Sequence, residues 1–282
     1  MSVEVKNLPN LPSGKVAQTI IEYEEKLIIF GGGDKFGTNH QSYEFNIWTN
    51  EYKIKQSLNF QRYYHTANLY KNNLYIYGGF WNTGWNFRRR SFFSIDLKEN
   101  YKRKNIQTKN LPAPRAQHTS NIYKDKMIIF GGAKEHELSN ELFEYDFKTK
   151  EWKKIKSENE TTKRRGHGSV IFKEKLYIFG GVINEDEILI YSNPSCFDFN
   201  TLKWREIDLN FYVAGIGSST VLWNNSILSF GGFENKERND LFIFDLKSEI
   251  LQIKSIEQLK GRSWGSGCLL KNSYYFCGGE CK

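Results

Sequence analysis

Three histidines recur at one phase of the chain. His65, His118 and His167 each stand thirteen residues before a Gly-Gly pair, and Arg62, Arg115 and Arg164 each stand three residues before a histidine. Imidazole can ligate a metal or relay protons near neutrality. Guanidinium pairs in two-point fashion with carboxylate or phosphate. Either chemistry needs the groups gathered at one place, whereas here they are dealt out one per repeat. Gln18, Ser218 and Gly265 take the histidine's place in three further repeats, and Lys15, Gly215 and Arg262 take the arginine's. The histidines therefore read as structural hydrogen-bonding groups. The cations Lys15, Arg62, Arg115, Arg164 and Arg262 stay open between a partner-binding ring and pairing with carboxylates of neighbouring units.

A second candidate is the loop after Gly79, Phe80-Trp81-Asn82-Thr83-Gly84-Trp85-Asn86-Phe87-Arg88-Arg89-Arg90. Trp81, Trp85, Arg88, Arg89 and Arg90 are of the types that dominate protein-binding hot spots. They could equally fold back onto their own unit. Stacking of nucleic-acid bases is disfavoured, since no RNA-binding motif accompanies the loop. The loop Val182 to Pro194 is acidic at Glu185-Asp186-Glu187 and apolar at Ile188-Leu189-Ile190-Tyr191, and its apolar half reads as packed. Cys277 and Cys281 have no second pair to make a zinc site. Cys268 and Cys277 fall nearly opposite on one hairpin, as thiols. No metal and no cofactor is implied. No nucleophile elbow, phosphate loop or zinc motif occurs, so no catalytic residue is assigned.

The elements that must carry these residues are set by a repeated phrase. An apolar run ends in a glycine pair at Gly31-Gly32, Gly78-Gly79, Gly131-Gly132, Gly180-Gly181, Gly231-Gly232 and Gly278-Gly279. The first glycines are 47, 53, 49, 51 and 47 residues apart, a period that points to a propeller or an array. Each phrase follows an apolar strand and a polar turn such as Lys124-Asp125, and its near-continuous apolarity predicts a strand buried on both faces. A variable loop leads to an alternating third strand ending in Asp or Asn (Asn46, Asp96, Asp146, Asp198, Asp245). A fourth strand places an aromatic or apolar residue six positions later, as with Asp146 and Trp152. Four antiparallel strands repeated radially make a propeller blade. The units run roughly 15–55, 62–107, 115–156, 164–208, 215–254 and 262–282 within a single domain. The sixth phrase is followed by only three residues, and Ser2-Val3-Glu4-Val5-Lys6 is expected to complete the last blade as an N-terminal strand.

The Gly-Gly pair, the Tyr/Phe-Asp/Asn of strand three and the Trp of strand four together resemble the kelch repeat, over roughly residues 15 to 279. The fold class is thus all-β, a six-bladed kelch-type β-propeller. The resemblance implies a non-catalytic protein-binding module or scaffold in a larger assembly, cytoskeletal or ubiquitin-ligase-like. It also implies that the five cations could bind an acidic peptide, on the face that carries the strand two-to-three loops. The alternatives are a kelch-like enzyme acting on a sugar or small molecule, and a phosphorylated or nucleic-acid ligand at the basic mouth. The enzyme reading is disfavoured because the histidines are spread one per blade and Cys196 stands alone. A net charge of +8 favours an acidic partner. The stretch Met1 to Lys15 lacks an apolar core of signal-peptide length and no segment reads as a membrane span, so an intracellular setting is expected. Asn159-Glu160-Thr161 and Asn224-Asn225-Ser226 match the glycosylation tripeptide by chance in such a setting.

Overall fold

The alternating and continuous apolar runs become strands in the computed structural model, which describes residues 4–33, 41–55, 62–80, 92–135, 137–184, 193–209 and 215–281. The first sheet comprises β1 (Val16–Tyr23), β2 (Lys26–Gly33), β3 (Tyr43–Asn46) and β4 (Glu51–Ile54). The second comprises β5 (Thr66–Tyr70), β6 (Asn73–Tyr77), β7 (Phe92–Asp96) and β8 (Lys102–Asn105). The third comprises β9 (Thr119–Tyr123), β10 (Lys126–Phe130), β11 (Leu142–Asp146) and β12 (Glu151–Ile155). The fourth comprises β13 (Gly168–Phe172), β14 (Lys175–Phe179), β15 (Ser195–Asp198) and β16 (Lys203–Glu206). The fifth comprises β17 (Ser219–Trp223), β18 (Ser226–Phe230), β19 (Asp240–Asp245) and β20 (Leu251–Ser255). Among the described residues, strands β21 (Ser263–Leu270) and β22 (Ser273–Glu280) pair only with each other. All pairings within these sheets are antiparallel, and no helix occurs among the described residues.

Among the described residues the protein is therefore an all-β propeller with five four-stranded blades. The expected sixth blade is corrected to a two-stranded hairpin. Residues 4–15 belong to no strand, so the N-terminal strand is not formed over its described part, and residues 1–3 lie outside the described set. Val5 still packs its side chain against the buried cluster of Leu228, Phe230, Leu241, Ile243 and Ile256, and Leu8 and Leu11 pack against the first blade. Apolar contact without strand pairing suits a segment broken by Pro9 and Pro12, which lack N–H donors.

The second strand of each blade is the core of the molecule. Leu27, Ile28, Ile29 and Phe30 are fully buried, as are Met127, Ile128, Ile129 and Phe130. Alternate residues serve the two flanks: Leu27 and Ile29 pack with the hairpin side, Ile28 and Phe30 with Leu74 and Ile76 of the second blade. Each such side chain contributes roughly 1.5–3 kcal/mol by leaving water, so every inter-blade seam is an apolar core of its own. The Asp or Asn ending strand three caps the outer turn. The Asp146 carboxylate accepts from the N–H groups of Lys148 (2.8 Å) and Thr149 (2.9 Å). Asn46, Asp96, Asp198 and Asp245 repeat the arrangement. This is an Asx turn, which explains the fixed residue type at that phase.

Candidate partner-binding face at the channel mouth

The glycine pair lets the chain leave strand two under its neighbour. Gly131 and Gly132 adopt φ of +67° and +90°. A Cβ on Gly132 would lie 2.7 Å from the Ala116 carbonyl oxygen. That close approach allows Gly132 N–H to donate to the Arg164 carbonyl of the next blade at 2.9 Å. The same bond joins Gly32 to Arg62, Gly79 to Arg115 and Gly232 to Arg262, and Gly279 of the hairpin to Lys15 of the first blade.

The five predicted cations have a common geometry, and it faces inward. Lys15 Nζ donates to the Gly31 carbonyl at 2.9 Å and Arg62 Nη1 to the Gly78 carbonyl at 2.6 Å. Arg115 Nη1 donates to the Gly131 carbonyl at 3.1 Å, Arg164 Nη1 to that of Gly180 at 3.4 Å, and Arg262 Nη1 to that of Gly278 at 3.3 Å. Each cation thus satisfies the carbonyl of the first glycine in its own unit. Lys15, Arg115 and Arg164 are fully buried, so these three present no docking surface. Arg115 meets Glu141 of its own blade at 3.0 Å. Burial tends to raise the Glu141 carboxyl, but Lys154 and Arg115 outweigh it and hold the group down at about 2. Burial pushes the Arg62 and Arg164 guanidinium groups down to about 10, leaving them charged at neutral pH.

The histidines are inter-blade staples. His65 Nε2 bonds the Thr19 hydroxyl at 3.1 Å, His118 that of Thr66 at 2.8 Å, and His167 that of Thr119 at 3.0 Å. Burial, helped by the adjacent cations, pulls His65 and His167 down to about 3 and His118 well below its ordinary value. All three are neutral at physiological pH. They line an axial cavity of about 110 Å³ with Gln18, Ser218 and Gly265. That space is below the usual volume of a small-molecule site. A second space of about 300 Å³ is lined by first-strand residues including Asn121, Ser169, Thr220 and Cys268. Burial pushes the Cys268 thiol well up, so no group there titrates near neutrality. No group of three or more potential metal ligands occurs among the described residues.

The residues immediately before the histidines close the mouth, and sequence reasoning missed them. Ala17, Tyr64, Gln117, Gly166, Gly217 and Trp264 all lie in the left-handed region, with φ between +56° and +73°. Their backbones form a chain around the axis: Tyr64 N donates to Ala17 O, Gln117 N to Tyr64 O, Gly166 N to Gln117 O, Gly217 N to Gly166 O and Trp264 N to Gly217 O, at 2.8–3.1 Å. Gly166 and Gly217 at the aligned phase were the available signal for this conformation. They also leave room for the Trp264 indole, whose Cδ2 would be 2.5 Å from a Cβ on Gly217. Trp264 crosses to meet Tyr64 edge-on at 4.6 Å, and Tyr63, Tyr64 and Phe80 extend the cluster at 5.3–6.0 Å. Arg165 reaches across to Gln117 Oε1 at 2.9 Å. Tyr63, Tyr64, Arg165 and Trp264 are half-buried, so this aromatic cap is partly presented to solvent.

The loop bearing Trp81, Trp85, Arg88, Arg89 and Arg90 follows Phe80 directly and lies outside the described residues, as do Glu185 to Tyr191. Cys268 and Cys277 are free and not opposite one another: Cys268 pairs with Tyr275, and Cys277 with Ser266. Cys277 Sγ instead accepts from Gln18 Nε2 at 3.7 Å.

A family model described as the KLHDC2/KLHL20/DRC7 Kelch-repeats domain matches residues 17–215, more than half of the chain. Among curated proteins, the leucine-zipper-like transcriptional regulator 1 of mouse and of human is 28% identical over 110 residues, 38% of this chain and 13% of the relative. The Drosophila melanogaster homolog is 25% identical over 155 residues, 51% of this chain and 16% of the relative. The matched region is thus a small part of those proteins.

Proposed function

The chain belongs to the KLHDC2/KLHL20/DRC7 Kelch-repeats domain family, and on that premise we propose that it is a non-catalytic protein-interaction module whose partner docks on the channel-mouth face. Propellers of this family are generally interaction modules, and the similar proteins bear the name of regulators. The observation that carries the reading is the half-buried aromatic cap of Tyr63, Tyr64 and Trp264 around a channel where, among the described residues, the histidines are neutral near physiological pH. Tyrosine, tryptophan and arginine are the residue types enriched at the hot spots of protein interfaces.

Preference for an acidic segment rests, in this reading, on Arg165 beside the cap and on Arg88, Arg89 and Arg90 of the adjoining loop. It does not rest on the buried Lys15, Arg115 and Arg164. The partner would join the propeller to a larger assembly. The six copies of the glycine phrase, with the bonds from Gly279 N to Lys15 O and from Gln18 Nε2 to Cys277 O at 2.7 Å, support a ring of six units in which the hairpin is the sixth.

The test compares affinity-captured partners of the wild-type chain with those of Tyr63→Ser/Arg165→Glu, after checking that both melt alike. Loss of specific partners is expected. An unchanged partner list overturns the assignment of this face, and stoichiometric copper or iron in the purified protein overturns the non-catalytic reading.

A further inference from the structure

The outer strands of blades two and three carry the chain's surplus charge. Residues 98–109 and 148–156 hold ten lysines and arginines against Glu99 and Glu151, a surplus equal to the net charge of +8 of the whole chain. Strands β8 and β12 end the strand order of their sheets, at the edge away from the first strands that line the channel spaces. Two links join the blades there. The Lys109 carbonyl, a few residues past β8, accepts from Trp152 N–H at 3.1 Å, and Thr108 Oγ1 donates to the Lys150 carbonyl at 2.7 Å. The tail of blade two is thus laid along the start of β12, and the two basic stretches share one rim.

Most of these cations have no counter-charge. Lys104 pairs with Asp96 at 2.9 Å, Lys109 with Glu151 at 2.8 Å and Lys154 with Glu141 at 2.8 Å. Lys102, Arg103, Lys148, Lys150, Lys153 and Lys156 are exposed, and among the described residues none of them makes an ion pair. Arg103 lies over the Phe93 ring at 4.0 Å, and none of its guanidinium N–H groups meets an acceptor among the described residues. Stacking orders the planar group and leaves its forked donors for a ligand. The other rims are balanced differently. Lys55 pairs with Glu44 at 3.0 Å on blade one, and on blade four Lys203 pairs with Glu158 at 3.2 Å and Arg205 with Glu249. Like charges this dense repel one another, and an arriving polyanion relieves that repulsion.

The composition of the rim selects the class of polyanion. An anionic membrane surface is held jointly by cations and by apolar side chains that enter it, and a stable protein interface has an apolar centre. Among the described residues, the exposed large apolar side chains Trp48, Ile54, Leu202, Ile250 and Ile253 all lie on blades one, four and five. On the rim of blades two and three Trp152 is buried, and Ile106 and Leu111 pack inward against the seam cluster. A phosphodiester backbone needs charge alone. Tyr101 and Trp152, the aromatic residues of the two basic stretches, are both buried, so no ring is offered to an unpaired base.

We propose that the outer rim of blades two and three binds the phosphate backbone of a nucleic-acid duplex without reading its sequence. The lysines neutralise phosphates as point charges and release their counterions, while Arg103 supplies paired donors to a single phosphate. A duplex, whose bases are stacked on each other, matches a surface that has cations and no stacking ring. The rim is separate from the channel mouth, and its test does not depend on the reading given for that face.

The probe is a fluorescein-labelled duplex of about twenty base pairs and mixed sequence, prepared as DNA and as RNA. It is titrated with the full chain between about 50 and 200 mM salt and followed by anisotropy. Saturable binding to at least one duplex is expected, unchanged when its sequence is scrambled. The slope of log K against log salt should be about −5, the value for six neutralised phosphates. Lys102→Gln/Lys153→Gln takes one cation from each blade and should reduce that slope by about two, weakening binding at least about tenfold. Lys247→Gln/Lys260→Gln removes the same charge at exposed lysines of the fifth unit and should change neither quantity. Tyr63→Ser should also leave duplex binding intact, which separates the rim from the mouth. Absence of saturable binding to either duplex overturns the proposal. Equal losses in the two lysine pairs show a response to net charge alone and overturn it, as does dependence on sequence. Binding to phosphatidylserine-containing vesicles and to neither duplex assigns the rim to a membrane and overturns it too.

Discussion

Replacing Arg115 by Met separates a structural cation from a binding one. Arg115 is fully buried and donates to the carbonyls of Ala113 (3.3 Å) and Gly131 (3.1 Å), to Ser139 Oγ (3.4 Å) and to Glu141 (3.0 Å). Methionine keeps much of the stem and removes every donor. Removing one partner of a buried ion pair typically costs about 3–5 kcal/mol, mostly through the groups left unpaired. Glu141 is less stranded than that case assumes, since it keeps Lys154 at 2.8 Å and Lys134 at 3.4 Å. Among the described residues, Arg115 supplies the side-chain donor to the Gly131 carbonyl. The lower end, about 3 kcal/mol, is therefore expected, which lowers Tm by roughly 6–12 °C in a chain of this size. Urea unfolding followed by circular dichroism measures it, with Lys153→Met on the exposed face of β12 as the control, expected within about 0.5 kcal/mol of wild type. A loss below about 1 kcal/mol for Arg115→Met, together with loss of partner binding, would refute the reasoning and restore Arg115 to a docking ring.

Acid should destabilise the fold early. His65 and His167 titrate at about 3 in the folded chain and His118 well below its ordinary value. The unfolded chain takes up their protons near pH 6.5. Below that pH the unfolded state binds more protons, so stability falls as pH falls, by about 1.4 kcal/mol per histidine per pH unit and roughly 4 for the three. Glu44 and Glu141, both held at about 2, add to the loss below about pH 4.5. A urea midpoint unchanged between pH 7 and 5 would contradict this. Gly132→Ala should cost several kcal/mol, on the order of 3, because its φ of +90° and the Ala116 carbonyl both oppose a Cβ, whereas Gly14→Ala, with nothing within 4 Å, should be near neutral. Asp146→Ala removes two turn bonds and should cost about 1 kcal/mol by the same unfolding assay.

Much of the blade was legible because its signals are local. Period-two patterning marked β11, the apolar run marked β10, and the Asp at position 146 marked a turn whose acceptor role is met within three residues. The bonding of the cations was not legible for the opposite reason. Their acceptors are backbone carbonyls sixteen residues away across two strands, such as Gly131 for Arg115, and a charge at a repeated phase looks the same in sequence whether it faces a ligand or a carbonyl. The mouth cap was hidden because a left-handed φ at Tyr64 or Trp264 has no signature in those residue types. The hairpin end was visible as a short sixth repeat. What sequence could not supply was that Val5 packs on the fifth-blade cluster without strand pairing, because side-chain burial and strand hydrogen bonding are separable.

The most direct test of the account is site-specific photo-crosslinking of the propeller in cell extract. One probe replaces Tyr63 at the channel mouth, and another replaces Lys153 on the exposed edge of the third blade. The account predicts a discrete protein adduct from position 63 and none from position 153. Adducts from position 153 with none from position 63 would contradict it.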